Sequence, residues 1–200
     1  MHIFKPLSLP SILCIIASIG ISTTANSIEI TPYIGQTFGP QFISNDGSSE
    51  SNIASDTSLG LGIAWQESSR GQGQILINYL SRDFTSSIDQ QSHSFDTLYA
   101  HFSGITHFKQ QNYVTTVSLG IGGTYFKSDQ SDVLYPSLTA ALGTRYEFSK
   151  NLAFVTEIRS YMTLTKNDEK LFCDTNNCFA RFDDSIWFDT NISVGFAYTF

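Results

Sequence analysis

The sequence predicts an all-β fold, an eight-stranded antiparallel up-and-down β-barrel that crosses a membrane, and three observations predict it. Beyond the first 25 residues the chain reads as eight segments in which apolar and polar residues alternate with a period of two. Longer and shorter polar connections separate those segments in near alternation. The chain then ends on one of the segments, Trp187–Phe200. There Phe188, Thr190, Ile192, Val194, Phe196, Tyr198 and Phe200 share one face, against Asp189, Asn191, Ser193, Gly195, Ala197 and Thr199 on the other. A terminal strand with an apolar, aromatic-ended face aggregates in water unless that face meets lipid and both edges are paired. A soluble sandwich is the alternative, because a short apolar run alone does not separate the two.

Residues 1–25 read as a secretory signal peptide, leaving 26–200 as the barrel domain. A thin basic start (His2, Lys5) precedes an apolar run around Leu7 to Ile21, and Thr23 and Ala25 supply small residues for cleavage after Ala25. A membrane anchor is the competing reading, but Pro6, Pro10 and several serines interrupt the run short of a spanning helix of about 20 apolar residues. Cys14 follows Leu13, where a lipoprotein signal needs a small residue, so it counts as part of the apolar run.

Removing the signal takes Lys5 and no acid, so 10 basic residues stand against 18 acidic ones, a net charge of −8. Nucleic acid is therefore not an expected partner. The 16 Phe, 9 Tyr and 2 Trp of the full chain favour strands and membrane interfaces over helices.

The first strand, Ile28 to Phe38, sets Ile28, Ile30, Pro32 and Ile34 against Glu29, Thr31, Tyr33 and Gly35. The second, Thr57 to Gln66, sets Leu59, Leu61, Ile63 and Trp65 against Ser58, Gly60, Gly62 and Ala64, small residues suited to a crowded inner face. The third, Gln74 to Phe84, points Ile75, Ile77 and Tyr79 outward and Arg82 inward. The fourth, Phe95 to Phe108, turns Leu98, Phe102 and Phe108 out and Tyr99, His101, Ser103 and His107 in. The fifth, Tyr113 to Phe126, turns Val117, Leu119 and Ile121 out over Ser118, Gly120 and Thr124. The sixth, Leu134 to Phe148, directs Arg145 and Glu147 inward, and the seventh, Leu152 to Leu164, directs Glu157, Arg159 and Tyr161 inward.

The connections are long at 39–56, 85–94 and 165–186, intermediate at 127–133, and short at 67–71, 109–112 and 149–151. Bacterial outer-membrane barrels show this asymmetry, with short periplasmic turns and longer loops outside. An even strand count puts both termini in the periplasm. Cys173 and Cys178 in the last loop are expected to form a disulfide in an exported compartment, with two free thiols or half of a metal site as the alternatives. No metal ligand set and no cofactor motif is found.

The chain resembles the small eight-stranded outer-membrane β-barrel proteins of Gram-negative bacteria, the outer membrane protein beta-barrel domain family of the porin-like superfamily. The likeness lies in His101-Phe102-Ser103-Gly104, Gly122-Gly123-Thr124-Tyr125-Phe126, the Cys173 to Cys178 loop and the aromatic Trp187–Phe200 end. It implies an outer-membrane location and supplies no activity. The partners expected are outer-membrane lipids, lipopolysaccharide and the barrel assembly machinery, which would read Phe196, Tyr198 and Phe200; a monomer is expected.

The inward positions collect Glu29, Arg82, His101, His107, Arg145, Glu147, Glu157, Arg159 and Asp189. An eight-stranded barrel is only wide enough for side chains to fill it, so these charges must pair or stay hydrated. The expectation is a plug in which Arg82, Arg145 and Arg159 face Glu29, Glu147 and Glu157, in a structural or surface-interaction protein. A narrow ion channel is the alternative, and a lipid-modifying enzyme a further one. His101 and Ser103 share an inward face as a nucleophile and base would, yet they fall near mid-barrel, and the H-x-S-N run of lipid A deacylase barrels is missing. The predicted outer loops are acidic, with Asp46, Glu50, Asp56, Asp83, Asp132 and Asp168 among others, and read as a solvated rim.

Overall fold

The computed structural model describes residues 27–39, 42–43, 50–51, 56–85, 92–128, 131–165 and 185–200. Its strands are β1 (Ile28–Phe38), β2 (Phe42–Ile43), β3 (Glu50–Ser51), β4 (Asp56–Gln66), β5 (Gly71–Thr85), β6 (Ser92–Lys109), β7 (Val114–Ser128), β8 (Asp132–Glu147), β9 (Leu152–Leu164) and β10 (Ile186–Thr199). β2 and β3 form a two-residue ladder of their own. The other eight form a closed antiparallel barrel in which each strand pairs with its sequence neighbours and β1 closes on both β10 and β4. The fold is thus the all-β barrel that the alternation predicts. Residues 1–25, Cys173 and Cys178 lie outside the described residues, and with them the expected signal peptide and the expected disulfide.

Closure satisfies both edges of every barrel strand, which an open sheet of this composition would leave as an aggregation template. Several strands outrun their side-chain pattern. β5 begins at Gly71 rather than Gln74 and β6 at Ser92 rather than Phe95, because Gly71↔Thr106 and Thr85↔Ser92 continue a ladder made by backbone groups. At one end of the barrel the connections are tight, closed by Glu67 N→Gly71 O at 3.0 Å, Gln110 N→Tyr113 O at 2.9 Å and Phe148 N→Leu152 O at 3.0 Å. This is the turn end. The opposite, loop end carries the longer connections with one exception. β7 and β8 run through most of the loop expected at 127–133 and are joined by a turn closed by Ser128 N→Ser131 O at 2.9 Å.

Side chains alternate as the pleat requires. Outward-facing Leu119, Ile121 and Leu134 are each about two-thirds exposed, and the belt they belong to includes Ile34, Leu59, Ile77, Leu142 and Ile192. The inward set is polar: Thr31, Gln74, Asn78, Ser103, Ser118, Thr124, Thr139 and Asn191 are all buried, with small apolar clusters between them. A polar inside and an apolar outside invert a water-soluble core and match a barrel solvated by lipid.

Candidate functional site in the barrel interior

The buried charges stack in layers along the barrel axis. Nearest the loop end, Arg82 of β5 donates from Nη2 to Asp189 Oδ1 of β10 at 2.8 Å, and neither side chain has any exposure. The other oxygen of Asp189 accepts Trp187 Nε1 at 2.6 Å and the Tyr99 hydroxyl. The guanidinium stands 6.0 Å from the Trp187 ring. Asp56, at the start of β4, places Oδ2 4.0 Å from Arg82 Nε. β1 leaves the barrel against this pair at Gly39, where a Cβ would fall 2.5 Å from Asp189 Oδ1 and 2.8 Å from Arg82 Nη1, so any side chain there would have to displace the ion pair. Toward the rim, Phe126 packs edge-on against Trp187 and Tyr135 at 6.0 and 6.2 Å, closing the layer with aromatic rings.

Below it Tyr99 stacks on Tyr161 at 4.0 Å, and Asn78 Nδ2 donates to the Tyr161 hydroxyl at 3.0 Å. His101 Nε2 is 2.8 Å from Ser137 Oγ, across the barrel wall on β8. Ser103, the partner its spacing suggests, has no hydrogen-bond partner among the described residues. Two positions on one strand share a face but point in parallel, whereas His101 of β6 and Ser137 of β8 meet over Gly122 of β7, which has no side chain to separate them. Both residues are buried to 3% exposure, so the contact is a core hydrogen bond.

The third layer is a fork. Arg159 donates Nε and Nη2 to Glu157 Oε1 and Oε2 at 2.7 and 2.9 Å, and its Nη1 reaches Thr139 Oγ1 at 3.3 Å. The bidentate geometry holds the planar guanidinium against the carboxylate. The space left beside Tyr33, Asn78, Glu157, Arg159 and Tyr161 is about 10 Å³, room for a single water.

At the turn end Arg145 Nη1 lies 2.7 Å from Glu29 Oε2, and Thr199 Oγ1 donates to the same carboxylate at 3.1 Å. A polar recess of about 160 Å³ opens here beside His107, Lys109, Gln66 and Gln72. Glu147 is 3.6 Å from Arg145 Nε, but its side chain is 58% exposed.

Of the three arginines expected to face glutamates, Arg145 and Arg159 do so and Arg82 does not. Arg82 takes an aspartate, Asp189, because Glu147 belongs to the last residues of β8 and stands in the mouth. Asp56, read as part of a solvated rim, faces Arg82 instead. The inward aromatic cap, Phe126, Tyr135 and Trp187, was missed although parity alone carries it, since Phe126 follows Thr124 and Trp187 precedes Asp189 by two. Phe196 and Tyr198 face outward near the turn end, ring to ring with Phe154 at 5.4 Å and Phe200 at 4.9 Å.

No family model and no curated protein sequence matches the chain. Among solved structures it is similar to Neisserial surface protein A, with 12% identity and a TM-score of 0.55, over 86% of this chain and 97% of that one. It is also similar to Ail, the attachment invasion locus protein of Yersinia pestis, in complex with the heparin analogue sucrose octasulfate. That match has 13% identity and a TM-score of 0.52, over 88% of this chain and 99% of that one. The chain has the fold of the eight-stranded outer-membrane β-barrels. At these identities the likeness carries the architecture and nothing narrower.

Proposed function

We propose that this protein is an integral outer-membrane barrel of a Gram-negative bacterium, exported on residues 1–25, which acts as a structural or surface-interaction protein through its loop end. The observation that carries this reading is the charge-filled interior: Arg82, Arg145 and Arg159 are each held by a carboxylate at 2.7–2.8 Å. An unpaired charge in so narrow a core is prohibitively costly, so pairs that close the lumen are its lowest free-energy arrangement. Contact with other molecules then falls to the surface. Asp83 and Asp132 are exposed toward the loop end, so a polyanion such as the heparin analogue seen on Ail is disfavoured, and a cationic partner or one bridged by divalent cations is favoured.

Single-channel recording on the refolded protein in planar bilayers tests the reading. The intact chain and a variant lacking residues 166–184 are both expected to be silent. Steady conductance from the intact chain would replace the plug with the narrow-pore reading, and conductance only after the deletion would assign closure to the loop.

A further inference from the structure

Outward side chains of a barrel stand in rows along the hydrogen-bonding direction, and on one side of this barrel the rows alternate in size. Phe102, Ile121, Leu138, Met162 and Phe188 are register partners from β6 to β10 and form one ridge. Four residues nearer the turn end, Val117, Leu142, Ile158 and Ile192 form a second. The row between them is Gly104, Leu119, Ala140, Ser160 and Thr190, small at every position except Leu119. The first ridge and the floor residues Gly104, Leu119, Ala140 and Ser160 line a groove of about 510 Å³ in the outer wall. A Cβ at Gly104 would meet nothing within 4 Å, so the floor is open there. The next residue of the floor row, Gly73, is roofed by Trp65, whose ring a Cβ would meet at 2.6 Å and which lies 5.8 Å from Phe102. The groove is therefore stopped at its β5 end.

The geometry points to this groove as a binding site for one acyl chain of a membrane lipid whose headgroup stands at the loop-end rim. The inference rests on the membrane reading above. Four strand spacings make the groove about 19 Å long, and strands tilted by 35–45° make it climb on the order of 12 Å. It climbs toward the loop end, because Phe102 lies ten residues inside β6 while Phe188 lies two inside β10. An α-helix about 10 Å across with its side chains is too wide for the floor. The wall of a second copy is convex and would rest on the ridges. A flexible hydrocarbon chain fills the floor, and lipid is the solvent on this face.

The test reconstitutes the full mature chain in phosphatidylethanolamine–phosphatidylglycerol vesicles with a trace of phosphatidylcholine bearing a diazirine midway along one acyl chain. Photolysis is expected to label Leu119, Ala140 and Ser160 several-fold more than Ile34 of β1 and Leu59 of β4 on the opposite wall. Filling the floor with Gly104→Leu and Ala140→Leu should abolish the preference, while Leu119→Ala should raise it. Flotation of each variant with the vesicles reads insertion separately. Uniform labelling of a protein that floats overturns the groove and leaves the membrane reading standing. Failure of the unaltered chain to float overturns both. A dimer that the filled variant dissociates would assign the face to a second copy instead.

Discussion

Arg82 and Asp189 are 107 residues apart in the chain and meet at 2.8 Å with no exposure of either side chain. The contact joins β5 to β10 across the lumen rather than along the wall, and it gathers Tyr99 and Trp187 onto the same carboxylate. Asp189→Asn keeps an acceptor for both aromatic donors and removes the charge that Arg82 faces. It is expected to cost about 3 to 5 kcal/mol, read as a lowered urea midpoint of the refolded protein in vesicles. Adding Arg82→Met to Asp189→Asn removes both charges and should recover part of that loss. A double variant less stable than the single one would show that the pair is not the source of the effect.

The Arg159 fork makes a second test at mid-barrel. Glu157→Ala removes both carboxylate acceptors of a buried guanidinium, leaving it Thr139 Oγ1, and is expected to lower stability by about 3 to 5 kcal/mol or to admit water and ions. Unfolding midpoints and proton leak from vesicles measure the two outcomes. If neither moves, the interior is already hydrated.

Charge on the outer wall should be penalised by depth. Ile121→Arg, at the middle of β7, is expected to cost about 2 to 4 kcal/mol in vesicles, and Leu134→Arg, near the loop-end rim, about 0 to 1. Equal costs at the two positions would contradict a lipid-solvated belt.

Phe200 tests assembly apart from stability. Phe200 is 71% exposed and contributes its backbone N–H to Ile28 O at 2.9 Å, a bond that any residue there can make. Phe200→Asp is expected to leave the refolded barrel's heat-modifiable mobility unchanged in vitro. In cells it should leave protein unassembled in the periplasm. Normal assembly of the variant in cells would remove Phe200 from the recognition signal.

The period-two alternation made the eight strands legible, because a half-polar, half-lipid environment writes itself into every second residue. Inward positions such as Arg82, Arg159 and Asp189 were legible for the same reason. What the pattern does not carry is height along the axis. Arg82 met Asp189 rather than a glutamate, and Glu147 fell into the mouth, because the stagger between strands is set by register and not by which face a residue takes. The sequence does not distinguish the β7–β8 turn at Ser128–Ser131 from a loop, since its polar residues look alike whether they extend a ladder or leave it. Asp56 looks like a rim residue for the same reason.

Closure of β1 on β10 has a consequence in time. Glu29 pairs with Thr199 in that seam, and Phe38 with Thr190, so the first and last strands are zipped together only when everything between them has been laid down. Contacts of such long sequence separation are slow to form because the chain loses loop entropy before they return anything. The trans-lumen bonds Arg82–Asp189 and Glu29–Arg145 bring sequence-distant strands together across the interior, so the barrel's electrostatic interior should mature last. Until then the open sheet exposes two unpaired edges and several buried-to-be arginines, an intermediate that is adhesive and highly charged at once. Such an intermediate has good reason to be short-lived, or to be escorted.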